Sequence, residues 1–217
     1  MAKKTLKKGL FITFEGPERS GKSTHSKLTA SFLKKEGYDI VYTREPGGTA
    51  VGDRIRKILL TAKNIHMLPL AEALLFEASR AELVKEVIKP ALLRKRIVIS
   101  DRFHDATCVY QGYAGGVPLK QIEKIESVSM KGVKPDLTIL LDIDVETGLG
   151  KIRRGKEDRM ESKKLSFHKA VRAGYLERAR KDKKRIKVIR TKSAIGATFK
   201  EVQNEVMNVI RRYKRAG

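Results

Sequence analysis

The stretch Leu10-Phe11-Ile12-Thr13-Phe14-Glu15-Gly16-Pro17-Glu18-Arg19-Ser20-Gly21-Lys22-Ser23 decides the fold. Its first part is a short apolar run. Its second part is a glycine-bounded turn that fits the pattern G-x-x-x-x-G-K-[ST], and a segment of helical character, Ser23 to Lys35, follows. A buried strand, a tight loop and a helix in that order form a cradle for phosphate. Glycines let the backbone wrap closely enough for its N–H groups to face phosphate oxygens, and the helix presents its positive N-terminus at the same place. Lys22 is placed to reach the β- and γ-phosphates of a nucleoside triphosphate, and the Ser23 hydroxyl to bind Mg²⁺.

Four further apolar runs lie outward from this one: Ile40 to Thr43, Ile97 to Ile99, Leu137 to Leu141 and Ile186 to Ile189. They are rich in Ile, Val and Leu with little polar alternation, as in strands covered by helices on both faces. Helical patterns separate them. In the longest, Leu70 to Leu93, the residues Leu70, Leu74, Ala81, Val84 and Ile88 fall on one side as a core stripe. Pro69 suits the first turn, and Pro90 is expected to kink or end the helix. A last helix, Ile195 to about Arg212, sets Ile195, Phe199, Val202, Val206 and Ile210 at core spacing. Its basic tail, Arg211, Arg212, Lys214 and Arg215, complements the helix dipole. Strands alternating with helices predict an α/β fold, a three-layer doubly wound parallel sheet of the P-loop type. A chain of 217 residues with 41% hydrophobic residues suits one such domain.

Lys and Arg total 48 against 25 acidic residues, a formal net charge of +23, which predicts attraction to anions of some kind. The charge is spread along the chain and not interleaved with aromatics, which make up only 6%, so no specific nucleic-acid site is expected. A single cysteine, Cys108, excludes a disulfide framework and any multi-cysteine zinc site. His25, His66, His104 and His168 show no metal or triad spacing. No apolar run approaches the roughly 20 residues that span a bilayer. The segment Leu10–Phe14 is too short for a signal-peptide core, so a cytoplasmic location is expected.

Other stretches carry ligand chemistry. Thr43-Arg44-Glu45-Pro46-Gly47-Gly48-Thr49 is a loop stiffened by proline and opened by glycines, with Arg44 as a phosphate partner. Phe76 and Arg80 stand four apart and so share one helix face. Together they offer a ring to stack on a pyrimidine and a guanidinium to donate to its carbonyl; from that helix alone, a peripheral core ring beside a solvated arginine is the favoured reading. Ser100-Asp101-Arg102-Phe103 ends the third strand, where Asp101 is placed to hold Mg²⁺ and Arg102 to grip an acceptor phosphate. Thr107, Tyr110 and Gln111 follow as candidate pocket walls. Arg153, Arg154, Lys156 and Arg159 form a basic stretch with Gly155, the pattern of a lid.

Taken together, these motifs resemble the thymidylate kinase family, in the expected order from Leu10 to about Ala179. The family pattern usually has Ser at Ala106 and Ala at Val109. The resemblance implies a P-loop nucleotide kinase that phosphorylates dTMP with ATP and Mg²⁺ in dTTP biosynthesis, working as a homodimer. The ATP-binding residues it implies are Gly16, Pro17, Glu18, Arg19, Ser20, Gly21, Lys22, Ser23 and Thr24. Those for dTMP are Glu18, Arg44, Phe76, Arg80, Arg102, Thr107, Tyr110 and Gln111. Lys22, Arg19, Arg102, Arg153 and Arg154 are the catalytic candidates, Ser23 and Asp101 the metal ligands, and a segment at about 153–164 the lid. Glu18 takes the position of the acid that approaches the acceptor's 3′-hydroxyl. Transfer to a phosphate monoester needs little acid–base work, since its second pKa is about 6, so no catalytic His or Cys is expected. Two alternatives remain: a kinase for another nucleoside monophosphate, and a nucleic-acid-stimulated ATPase.

Overall fold

Strand β1 (Leu10–Glu15) is the middle of a five-stranded sheet, in a computed structural model that describes Lys4 and residues 6–61, 67–151 and 158–215. The other strands are β2 (Ile40–Arg44), β3 (Ile97–Asp101), β4 (Leu137–Asp142) and β5 (Ile186–Arg190). They run parallel in the order β2-β3-β1-β4-β5. The helices are α1 (Lys22–Lys35), α2 (Ala50–Thr61), α3 (Pro69–Leu83), α4 (Lys89–Leu93), α5 (His104–Thr107), α6 (Leu119–Met130), α7 (Val145–Leu149), α8 (Leu165–Lys181) and α9 (Ile195–Arg215).

Both faces of β1 are covered, which accounts for its unbroken apolar run. Leu10, Ile12 and Phe14 join Leu33 of α1 and Val202, Val206 and Ile210 of α9 in one core. Phe11 points the other way, into a second core with Leu83, Ile88, Val98, Phe103 and Met130, where its ring meets Phe103 edge-on at 4.9 Å. Each such side chain contributes roughly 1.5–3 kcal/mol by leaving water. The same alternation sends Glu15 to the second face, fully buried at the carboxyl end of the strand.

Two expectations about the long helical segment fail. Pro90 does not end it: α3 widens into a π turn at Val84–Ile88 and resumes as α4 with Pro90 in its first turn. There the proline's missing N–H and bulky ring cost least. The predicted stripe is also wrong at its start. Leu70 and Leu74 are 43% and 48% exposed, while Glu72, Glu77, Ser79 and Arg80 of the same helix are buried. The inner face of α3 is polar because it packs against ionic partners, so apolar periodicity marks its outside. At the other end of the chain α9 follows the expected pattern except at Ile195, which is 55% exposed because it is the first residue of its helix.

Candidate active site

The loop Gly16–Gly21 leaves β1 at the carboxyl edge of the sheet, where open parallel α/β sheets hold their ligands. Gly16 has φ 143°, and a Cβ there would stand 2.2 Å from the carbonyl oxygen of Leu141 on β4. Only glycine lets the loop close over the end of that strand. Gly21, at φ 95°, caps α1 and begins the helix on Lys22. The Lys22 Nζ folds back to donate to the Pro17 carbonyl at 2.7 Å. Burial, with Arg102 nearby, brings its ammonium down to about 8 despite Glu18 and Asp101. Ser23, next in α1, donates its hydroxyl to the Asp101 carboxylate at the end of β3. The expected metal ligands therefore come together, as a pair of hard oxygen donors beside the phosphate loop.

Arg102 sits at φ 71° immediately after β3, a left-handed turn that swings its side chain back over the loop. Its guanidinium donates to Glu18 Oε1 at 2.9 Å, to the Tyr110 hydroxyl at 3.0 Å and to the Tyr175 hydroxyl at 3.1 Å. The two tyrosines pass the chain on: Tyr110 donates to Glu18 at 2.7 Å, and Tyr175, from α8, donates to Glu15 at 2.7 Å. Burial would raise the Glu18 carboxyl, but Arg102, Lys22 and Tyr110 outweigh it and bring it down to about 2. Glu15 goes the other way. Burial and the nearby Asp105 push it up to about 7 against Arg102 and the Tyr175 hydrogen bond. Neither Glu15 nor Tyr175 stood out in the sequence; an acid closing an otherwise apolar strand was the available signal for Glu15.

These groups open on a cleft of about 620 Å³. One end is lined by the phosphate-loop residues Glu18, Arg19, Gly21, Lys22, Ser23 and Thr24, the other by Arg44, Phe76, Arg102, Thr107, Tyr110 and Gln111. Gly16, Pro17 and Ser20 complete the loop beneath the lining residues, Ser20 fully buried. Tyr42, Arg56, Lys151, Asp158 and Glu161 also border the cleft, and sequence reasoning gave them no ligand role. Arg56 is tied in by donating to the Pro46 carbonyl at 2.9 Å, and Arg44 faces Asp53 at 3.7 Å.

Arg80 is not in the cleft lining. It is 1% exposed and lies behind the wall, donating to Glu45 at 2.7–3.2 Å, to Glu77, and to the Thr107 hydroxyl at 3.0 Å. Burial alone would lower this guanidinium, but the flanking carboxylates of Glu45 and Glu77 hold it well above its usual range. Phe76, one turn earlier, does reach the cleft, so the two residues expected to act together are separated in depth. Gln111 is similarly anchored, donating to Glu72 at 2.6 Å.

The basic stretch contributes in a way its charge did not announce. Arg153, Arg154 and Lys156 lie outside the described residues. Arg159 is buried, pairs with Glu72 and donates to the Leu59 carbonyl at 2.7 Å, so it roots this segment on α2 and α3. Glu161 takes the P-loop Arg19 in an ion pair of 3.0 Å.

A central P-loop, oxygen donors beside it and an adjoining cleft define the class: a phosphotransferase built on the P-loop nucleoside-triphosphate-binding fold. The family model described as thymidylate kinase matches residues 14–202. The chain belongs to the thymidylate kinase family. It is 47% identical over 169 residues to the thymidylate kinase of Caldanaerobacter subterraneus subsp. tengcongensis, covering 78% of this chain and 81% of that one. To the Symbiobacterium thermophilum thymidylate kinase it is 41% identical over 210 residues, covering 96% and 98%. The crystal structure of the Ehrlichia chaffeensis thymidylate kinase superposes with a TM-score of 0.76 at 35% identity, covering 92% of this chain and 99% of that one.

Proposed function

We infer that the protein transfers the γ-phosphoryl group of ATP to the 5′-phosphate of dTMP, forming dTDP and ADP in the synthesis of dTTP. One observation carries this reading: the phosphate loop and the wall bearing Phe76 and Arg102 open into the same cleft. The acceptor phosphate has a second pKa of about 6 and is mostly a dianion at neutral pH. The barrier is therefore the approach of two anions, and fixed cations lower it. Lys22 holds the donor phosphates, and their charge stabilises its ammonium when they replace the Pro17 carbonyl as its partner. Arg102, already fixed by Glu18 and two tyrosines, grips the acceptor phosphate, with Arg44 nearby. Phe76 stacks on the thymine, and Thr107, Tyr110 and Gln111 close the pocket around base and sugar. Arg80 acts on the base through the wall it braces. Glu18 accepts from the sugar 3′-hydroxyl as its present donors shift.

Ser23 and Asp101 suit a hard cation such as Mg²⁺, which when bound offsets charge on the β- and γ-phosphate oxygens. The lid spans about 153–164. Arg153 and Arg154 supply further cations from it, and Arg19 exchanges Glu161 for the transferring group.

The reading extends to a homodimer. It is supported by the exposed Leu70 and Leu74 on α3 and Val128 on α6, two helices that pack side by side. No helix among the described residues is long and apolar enough to cross a membrane, and we place the enzyme in the cytoplasm. Neither alternative is favoured: another acceptor class is not what the relatives are named for, and the net charge of +23 that speaks for a nucleic-acid-stimulated ATPase is spread along the chain. Steady-state assays with ATP and Mg²⁺ over dTMP, dUMP, UMP, dCMP and AMP test the assignment. The expected result is the highest kcat/KM for dTMP, and a preference for UMP or AMP overturns it.

A further inference from the structure

Behind the acceptor wall, outside the cleft, His104, Cys108 and Glu126 converge. All three are buried, and their ligand atoms lie within 4.8 Å of one another. We propose that this trio binds one soft divalent cation of the Zn²⁺ class through His104 Nδ1, Cys108 Sγ and a Glu126 carboxylate oxygen, with water at the fourth position.

His104 opens α5, Cys108 begins the π turn that continues it to Tyr113, and Glu126 reaches in from α6. The four-residue spacing puts the imidazole and the thiol on one side of the helix, against the carboxylate. His104 Nδ1 is buried without a hydrogen-bond partner and faces Glu126 Oε2 at 3.5 Å. Cys108 Sγ stands 3.2 Å from Glu126 Oε1. Zn–N, Zn–O and Zn–S bonds of about 2.0–2.3 Å at tetrahedral angles separate ligand atoms by about 3.4–3.6 Å, which the two spacings to Glu126 approach, while the imidazole and the thiol lie within 4.8 Å of each other and close in on the ion as it binds.

The surroundings also suit a metal-bound histidine. The other ring nitrogen, Nε2, lies 3.6 Å from Asp105 Oδ2, and Arg178 and Arg185 hold that carboxylate at 2.7 and 2.6 Å. A carboxylate behind the ligating imidazole is the usual means of fixing its orientation. Sulfur and imidazole select a softer ion than the all-oxygen pair Ser23 and Asp101. One thiolate and one carboxylate neutralise a divalent charge inside the protein, and the thiol's proton leaves to solvent when the ion enters. The bound ion would clip α6 to the turn that carries Tyr110 and Gln111. Separate spacings in the sequence gave no hint of this, because one ligand lies 18 residues beyond the nearest of the others.

Co²⁺ titrated into reduced, metal-stripped, untagged protein tests the proposal, both on the folded chain and during refolding from urea. The expected result is one Co²⁺ per chain with a thiolate-to-metal charge-transfer band, displaced stoichiometrically by Zn²⁺. Since the chain has one cysteine, the band assigns Cys108 without any variant. Cys108→Ser should lose the band and the rise in thermal midpoint caused by Zn²⁺, and Glu126→Gln should weaken Co²⁺ binding about tenfold or more. Absence of the band in wild-type protein under both conditions overturns the site. So does Zn²⁺ affinity unchanged in Cys108→Ser, the mark of an adventitious surface ion.

Discussion

The two ends of the cleft are built by opposite means. The donor end is one continuous loop whose main chain, a lysine and a hydroxyl face the ligand, with Gly16 and Gly21 setting its curvature. The acceptor end is assembled from the loop after β2, from α3, and from the turn after β3, and it rests on a buried ionic cluster of Glu45, Glu77 and Arg80. A loop of backbone amides can lose a side chain and still fold. A wall resting on buried charge cannot lose its centre without leaving the remaining charges unpaired. Activity and stability should therefore respond separately at the donor end and together at the acceptor end.

Arg80→Met is the strongest way to break this contrast. It leaves Glu45 and Glu77 buried without their cation, and should destabilise the fold by about 3–5 kcal/mol in urea denaturation. A loss below about 1 kcal/mol would mean that the acceptor wall does not depend on that cluster. Lys22→Ala is the counterpart at the donor end. Its kcat should fall about 10²–10³-fold, on the order of 3–4 kcal/mol, while the thermal midpoint stays near that of the parent. Retained turnover would remove the phosphate loop from the mechanism.

Two glutamates sharpen the comparison through pH. The folded-state carboxyl of Glu18 is brought down to about 2 from an ordinary 4.5, so its contribution is complete above about pH 4.5 and is lost as the pH falls toward 2. Glu18→Gln should flatten that acid limb, an effect on the order of 3 kcal/mol. Glu15 is raised to about 7, so the folded state holds its proton longer than the unfolded chain does. Stability from this group is present below about pH 4.5 and declines as the pH rises through 7, and Glu15→Gln should remove that decline. Urea midpoints across pH 2–8 for both variants check the two signs. The smallest effect on the fold is expected from Leu74→Glu on the outside of α3. It should abolish dimerisation in sedimentation experiments while changing chain stability by no more than about 0.5 kcal/mol.

The phosphate loop was readable because it is local: Gly16 to Thr24 are consecutive, and the structure sets them between β1 and the start of α1 as the motif requires. The inner strands β1, β3 and β4 were readable for a related reason, since burial on both faces leaves an almost unbroken aliphatic run; the edge strands β2 and β5 are only partly buried and showed as shorter runs. The polar inner face of α3 was not. Helical periodicity identifies an apolar stripe without saying whether it faces the core or a partner, and Leu70 and Leu74 lie outside while Glu72 and Arg80 lie inside. Arg159 was grouped with the lid's solvated cations, but it is anchored by Glu72 and the Leu59 carbonyl, partners far away in sequence. Glu15, Tyr175 and the trio around Cys108 likewise depend on contacts between distant segments that no linear spacing reveals.

The depth at which Arg80 lies bears on how this enzyme can change over generations. A residue that braces the pocket and neutralises two interior acids cannot be exchanged to admit a new base without endangering the folded chain. Shifts in acceptor preference should therefore accumulate around it, at shallower positions such as Ala106 and Phe76, where a change of shape puts little of the scaffold at risk.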